Sequence, residues 1–321
     1  MEKLKSVLQC SVSACQGNGI VRHKTIFVKV VLYFTTFNFA MAIKSQYSGD
    51  YRPYPKTSVR KEQVHKFKNF LKFYVAKIPS KMARIRLITF DATNTLFRVR
   101  GSVGEIYCQV ALKYGIKMDA KVVDECFKEA FKRYNDEFPN FGAKAGLSSQ
   151  KWWQDVIGCS LNQLIPTETL ENMSSYLYAE FINKGNWEIY KDTVPVLKFF
   201  QNRNIKLGVV SNFDERLSLI MRNLDLDKYF DFILPSRQTK WYKPMKQIFN
   251  HAALMVDKCP PSQVIHVGDN FELDYLAALH AGLDGYLLLR QPTNDKIDQL
   301  LSKKVPRHKI IHSLKELTCL L

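Results

Sequence analysis

The sequence predicts a doubly wound parallel α/β fold with an inserted α-helical cap, and three observations predict it. Short apolar strands alternate with helices from residue 193 onward. One isolated strand, ending at Phe90, stands far upstream of that alternation, and residues 102–186 between them read as helices only. Alternating strands and helices imply right-handed crossovers and a parallel sheet, and a helical insert after the first strand is expected to lie over the strand ends.

The first strand, Arg86-Leu87-Ile88-Thr89-Phe90, runs directly into Asp91-Ala92-Thr93-Asn94-Thr95-Leu96, an aspartate followed by a small polar turn. Helices follow over Ser102–Tyr114, Ala120–Asn135, Ser148–Cys159 and Thr167–Asn183, with apolar residues three and four apart as on buried helix faces. The alternation resumes with helix Thr193–Gln201, strand Ile205–Val210, helix Glu215–Leu224 and strand Phe232–Leu234. Helix Met245–Met255, strand Val264–Val267, helix Leu273–Ala281 and strand Gly285–Leu289 complete it. The expected organisation is a basic extension over 1–81, a core over 82–97 and 187–321, and a cap over 98–186.

With 321 residues, 46% of them hydrophobic, the chain can bury an ample core. Its formal charge of +17 is unevenly spread: residues 1–90 hold 17 Lys/Arg against three acids, which leaves the remainder near neutral at +3. The basicity belongs to the front segment, so no specific nucleic-acid partner is expected of the α/β part. Seven scattered cysteines without a C-x-x-C pair favour a reducing compartment over a disulfide scaffold or a zinc site.

Residues 26–43 are apolar, but Lys29 and Asn38 interrupt them, which is marginal against the ~20 residues of a spanning helix. Residues 62–78 place Val64, Phe67, Leu71, Tyr74, Val75 and Ile78 at helical spacing, with Lys66, Lys68, Lys72 and Lys77 largely on other faces. Such a basic amphipathic helix suits a membrane surface, a partner or import machinery. Translation starting at Met82 or Met41 is an equally open reading, because nothing in residues 1–81 is needed to build the core. The expected location is cytoplasmic or mitochondrial, with the nucleus a further option.

In a doubly wound sheet, ligands bind at the carboxyl ends of the strands, where Asp91 stands. A carboxylate there can attack a phosphoryl or carbon centre, although an aspartate ending a strand is also an ordinary cap or turn residue. The second core strand ends in Ser211-Asn212, whose hydroxyl and backbone N–H can hold phosphate oxygens. Lys243, before Pro244, can neutralise a phosphoryl group and a carboxylate together; Lys240 is its near rival. The run Val264-Ile265-His266-Val267-Gly268-Asp269-Asn270-Phe271-Glu272-Leu273-Asp274 is a strand, a Gly turn and two aspartates. Asp91 and Asp269 together suit Mg²⁺, with Asp274 either lying just outside the ion's ligands or capping the next helix.

The order Asp91, Ser211, Lys243, Gly268-Asp269 and Asp274 resembles the haloacid dehalogenase-like hydrolase superfamily, from about Met82 to the C-terminus. Phe138-Pro139-Asn140-Phe141-Gly142, Gly146-Leu147 and Trp152-Trp153 carry a closer likeness within it, as do Ser211-Asn212-Phe213-Asp214 and Val267-Gly268-Asp269-Asn270. The aromatic cap residues are expected to be core rather than substrate contacts. The resemblance implies Asp91 as nucleophile and Mg²⁺ ligand, Thr93 as a ligand through its backbone carbonyl, and Asp269 as the second carboxylate. It also implies Ser211 and Asn212 on the phosphoryl oxygens, Lys243 as electrostatic stabiliser, and a small phosphorylated metabolite as substrate.

One departure matters. Phosphatases of the superfamily carry an acid–base aspartate two residues after the nucleophile, and here that residue is Thr93. General acid–base help is worth ~10²–10⁴ in rate, so weak hydrolysis of phosphate esters is expected. Asn94 replaces the usual glycine of the turn, a mild change because Asn tolerates positive φ, and Met245 stands where a capping aspartate is frequent. A non-catalytic protein that binds Mg²⁺ and phosphate as a sensor or partner is the alternative that Thr93 favours. Carbon–halogen hydrolysis is a weaker reading, because it needs no metal and would leave Asp269 without a purpose. Deleting residues 1–81 should leave a folded domain with unchanged melting temperature and Mg²⁺ binding but an altered cellular distribution. A large drop in melting temperature would place the domain boundary elsewhere.

Overall fold

Leu87–Phe90 (β1) is a run of apolar and β-branched residues, every one of them buried, as a strand covered on both faces requires. In the computed structural model, which describes residues 85–161 and 165–321, it is an inner strand of a six-stranded sheet. The extension over 1–81, its amphipathic helix and both alternative starts lie outside the described residues. The other strands of this sheet are Lys206–Ser211 (β4), Phe232–Pro235 (β5), Val264–Gly268 (β6), Asp284–Leu288 (β7) and Ile310–Ile311 (β8). Their order is β5-β4-β1-β6-β7-β8 and every pairing is parallel.

The chain leaves this sheet through Phe97–Val99 (β2) and returns through Trp187–Ile189 (β3), which pair antiparallel at the foot of the insert. Between them lie Val103–Lys113 (α1), Ala120–Glu137 (α2), Ser149–Ser160 (α3) and Thr167–Glu180 (α4). Local signals start three of these: Ser102 and Glu105 form a reciprocal capping box, and the side chains of Asp119 and Ser148 cap α2 and α3. The helices close on two apolar clusters, one around Tyr107, Ile157, Met173 and Leu177, the other around Trp152, Phe141 and Val156. Trp152 is fully buried and meets Phe131, Tyr134, Phe141 and Trp153 at centroid distances of 5.1–6.2 Å. As expected of the cap aromatics, it is core.

The core helices are Thr193–Gln201 (α5), Leu217–Asn223 (α6), Lys246–Leu254 (α7), Ala277–His280 (α8), Asn294–Ser302 (α9) and Leu317–Leu320 (α10). Four features differ from the sequence reading. The β2–β3 pair was not expected, because three residues carry no periodicity. The segment expected to be a helix from Leu273 begins earlier, as a π-helical turn over Phe271–Leu276 that passes into α8. α6 begins at Leu217, not Glu215: the Glu215 and Arg216 side chains before it reach Tyr178 of the cap, and the Arg216 N–H is taken by Asp214. β8, α9 and α10 close the C-terminal edge of the sheet.

The cap is tied to the core by buried polar contacts. The turn after α2 takes positive φ at Asn140 (54°), Phe141 (56°) and Gly142 (72°), and a Cβ on Gly142 would meet that of Leu147 at 2.6 Å. So placed, Asn140 donates to the Ser236 carbonyl at 3.2 Å and accepts from the Ser236 hydroxyl at 2.7 Å. Trp152→Ala should cost ~3–5 kcal/mol in denaturant unfolding. Leu112→Ala, at a side chain 64% exposed, should stay within about 0.5 kcal/mol of wild type.

Candidate active site

β1 sits where the strand order reverses, with β4 and β5 on one side and β6, β7 and β8 on the other. That is the ligand crevice of an open α/β sheet. Phe90 is in register with Val209 and Val267, and the Asp91 N–H donates to the Val267 carbonyl at 2.9 Å. The register therefore brings Asp91, Ser211 and Asp269 to adjacent strand tips. One carboxylate oxygen each from Asp91, Asp269 and Asp274 lies within 4.8 Å of the others.

Lys243 enters this group from the loop before α7. It is 3% exposed, and its ammonium donates to Asp91 Oδ1 at 2.7 Å and to Asp274 Oδ1 at 2.6 Å. Lys240 is exposed, so geometry decides between the two lysines in favour of Lys243. The Lys243 backbone is pinned in turn. Its N–H donates to Asn212 Oδ1 at 2.7 Å, and Asn212 Nδ2 donates to its carbonyl at 2.8 Å. This refines the expectation for Asn212, whose side chain is spent on Lys243 and leaves its backbone N–H as the group able to meet an anion. The peptide bond from Lys243 to Pro244 is cis.

Asp274 is not the helix cap. Asn270 takes that part, accepting from the N–H groups of Glu272 and Leu273 at 2.9 Å each. The π-helical turn carries Asp274 inward, 1% exposed, where it also accepts from the Asn270 N–H at 2.9 Å. Gly268 makes room for it: a Cβ there would stand 2.2 Å from the Asp274 carboxyl carbon.

His266 was missing from the sequence reading. It is fully buried within β6, with Nε2 3.1 Å from Asp274 Oδ1 and Nδ1 2.9 Å from the Thr89 hydroxyl. Burial depresses its pKa, so the ring is neutral, donates from Nε2 to Asp274 and accepts from Thr89 at Nδ1. A histidine inside an apolar strand looks like any satisfied core residue, and only its alternation with Thr89 across the β1–β6 register hints at more. Arg290 was missed as well. It donates to Asp192 at 3.0 Å and to the Thr95 carbonyl at 2.6 Å, and lies 3.5 Å over the Tyr190 ring, bracing the turn that follows Asp91.

The electrostatics are unbalanced. Lys243 and His266 hold Asp274 well below the ordinary carboxylate range despite its burial, and the two carboxylates hold Lys243 above the usual lysine value. Burial lifts the Asp91 carboxyl against the pull of Lys243. Asp269, half-buried beside Asp91 and Asp274, is pushed up to about 7, with the Asn94 amide opposing. Asn94 has φ 60°, the positive value that an asparagine there accommodates. Three carboxylates thus face one ammonium, and their hard oxygen donors fit a divalent cation such as Mg²⁺. Thr93 stands half-buried in the turn, with its carbonyl part of the backbone beside Asp91.

The loop after Ser211 is also the seat of the cap. Asp214, fully buried, accepts from the Trp153 indole at 2.7 Å and from Arg216 Nε and Nη2 at 2.9 and 2.6 Å. Arg216 stacks 3.8 Å over the Tyr178 ring, and Ser149 and Tyr178 both donate to Glu215.

The family model for haloacid dehalogenase-like hydrolases matches residues 85–282. The chain is 34% identical over 235 residues to haloacid dehalogenase-like hydrolase domain-containing protein 3 of Xenopus laevis, covering 73% of this chain and 94% of that protein. It is 33% identical over 212 residues to the rhythmically expressed gene 2 protein of Drosophila melanogaster, covering 63% and 82%. Among solved structures, a defluorinating L-2-haloacid dehalogenase, Rha0230, aligns with a TM-score of 0.60 at 18% identity, covering 76% of this chain and 97% of its own. The Bacillus subtilis HAD-hydrolase YfnB, bound to magnesium, aligns at 0.54 and 17% identity, covering 74% and 99%. At such identities these two structures speak for the fold. With the family model and the relatives in agreement, the chain belongs to the haloacid dehalogenase-like hydrolase family.

Proposed function

We propose that this protein is a Mg²⁺-dependent hydrolase of small phosphorylated molecules, with Asp91 as nucleophile. The observation that carries the reading is the Lys243 ammonium bonded to Asp91 and Asp274, with Asp269 beside them at the next strand tip. Asp91, Asp269 and the Thr93 carbonyl would hold the ion, and Asp274 would lie just outside its ligands. When bound, Mg²⁺ would neutralise phosphoryl charge and orient the group being transferred. Ser211 Oγ and the Asn212 N–H would take phosphoryl oxygens at the tip of β4, and Lys243 would offset the charge built up as an Asp91 oxygen reaches phosphorus. The cap would keep bulk water from the crevice while the covalent aspartyl intermediate exists. Residues 1–81 would act in location or partner choice, through the basic helix at 62–78, rather than in catalysis.

Thr93 favours a second reading, a protein that binds Mg²⁺ and phosphate without turnover, because it lacks an acidic proton. A screen of phosphorylated metabolites with Mg²⁺ separates the two. Turnover that is lost in Asp91→Asn supports the hydrolase. Mg²⁺ and phosphate binding without turnover of any compound supports the binding protein.

The Asp269 carboxyl, raised to about 7, also predicts a pH dependence. In the metal-free protein it is protonated below that value, so Mg²⁺ must displace a proton. Affinity should fall about tenfold per pH unit below pH ~7, with uptake of Mg²⁺ releasing protons, as calorimetry in buffers of different ionisation enthalpy would read. The sign for stability is opposite. A carboxyl whose folded pKa is raised destabilises the metal-free fold as pH climbs from the ordinary range through ~7, and added Mg²⁺ should cancel that loss.

A further inference from the structure

The ionisable side chains that act on Asp91 include Lys243, Asp274, Asp269 and His266. None is placed to protonate a departing group. The Lys243 ammonium is spent on Asp91 Oδ1 and Asp274 Oδ1. Asp274 collects hydrogen bonds from Lys243, His266 and Asn270, all of which favour its charged form. His266 is fully buried behind Asp274, and Asp269 is a cation ligand in the reading above. The turn after the nucleophile offers Thr93 and Asn94, neither of them an acid near neutral pH. The cap donors that reach the neighbouring core loops, on Asn140, Ser149, Trp153 and Tyr178, are committed to Ser236, Glu215 and Asp214.

We infer that the substrates are phosphorylated compounds whose leaving group departs as a stable anion, such as acyl phosphates, phosphoanhydrides, enol phosphates or aryl phosphates, rather than alkyl phosphate esters. The inference rests on phosphorylation of Asp91, as proposed above. In the first step an Asp91 oxygen bonds to phosphorus while the bond from phosphorus to the leaving oxygen breaks. The electron pair departs with that oxygen, which takes no proton from the protein. A carboxylate, phosphate, enolate or phenolate can leave this way, whereas an alkoxide is too basic. In the second step a water oxygen bonds to phosphorus and the bond from phosphorus to Asp91 breaks. Its pair returns to the carboxylate, inorganic phosphate leaves, and the water's proton passes to solvent.

The test is kcat/KM of the full chain with Mg²⁺ on acetyl phosphate, p-nitrophenyl phosphate, phenyl phosphate and glycerol 3-phosphate. Wild type should fall steeply along that order. Thr93→Asp, which installs an acid in the turn, should raise the glycerol 3-phosphate end by ~10²–10⁴ and the acetyl phosphate end by less than about threefold. A shallow wild-type dependence, or an equal gain across the series, would overturn the inference. Tyr190 is the rival proton source, being close enough for Asp269 to influence its phenol. Tyr190→Phe should leave the slope unchanged, and a slope that steepens in this variant would name Tyr190 as the acid and sink the inference. If Thr93→Asp does not fold, the wild-type series and Tyr190→Phe still decide. Failure to hydrolyse even acetyl phosphate, with no phosphate on Asp91, would overturn the proposed function itself; turnover with a shallow slope would overturn the leaving-group inference alone.

Discussion

An ammonium carried to 3% exposure must be paired, since an isolated buried charge costs several kcal/mol. Lys243 meets that requirement with two carboxylates that reach it from different parts of the sheet, Asp91 from β1 and Asp274 from the turn beyond β6. Much of the local structure follows from this meeting. Gly268 has no side chain because Asp274 occupies the space. The π-helical turn widens the helix start so that Asp274 points inward while Asn270 caps. His266, its other ring nitrogen held by Thr89, satisfies Asp274 from behind, so that its second partner is a neutral donor rather than another charge.

The same demand links the cap to the site. Asn212 fixes the Lys243 backbone, and two residues further on Asp214 is gripped by Arg216 and by Trp153 of the cap. The loop that holds the Lys243 backbone through Asn212 is therefore the loop on which Trp153 of the cap rests through Asp214. On the other side of β1, Arg290 bonds the Thr95 carbonyl and Asp192, tying the turn that carries Thr93 and Asn94 to the start of α5. Cap and core thus meet at the loop after β4 as well as at Ser236 and Arg237 beyond β5.

The legible part of this site was the part that topology dictates. An aspartate closing an apolar strand, a serine closing the next core strand and a Gly-Asp closing another must gather at one edge of a parallel sheet, so Asp91, Ser211 and Asp269 could be read without coordinates. Lys243 needed geometry to separate it from Lys240, because a loop lysine carries no periodic signal. Asp274 read equally well as a cap, since the deciding contact lies across the turn in Asn270. The part played by the Asn212 side chain was not legible because its partner, the Lys243 backbone, lies 31 residues away. His266 and Arg290 were invisible for the same reason: each is defined by partners on another element. β2 and β3 were missed because two three-residue strands have no pattern until they pair.

Four aspartates are buried among the described residues, and the number of donors around each separates structure from chemistry. Asp192 accepts from Arg290, the Ser313 hydroxyl and the Leu314 N–H. Asp214 accepts from Trp153, from two guanidinium nitrogens of Arg216 and from the Arg216 N–H. Asp274 accepts from Lys243, His266 and the Asn270 N–H. An ionised carboxylate has about four acceptor positions, and in these three most are filled. Asp91 has one strong donor, Lys243, and a lesser contribution from Ser211, and its pKa is raised, whereas those of Asp192 and Asp274 are lowered. A carboxylate kept only for structure would be satisfied as its neighbours are. Asp91 keeps unused acceptor capacity at the tip of an inner strand, beside further negative charge that a cation would relieve, which is what the proposed role of nucleophile requires.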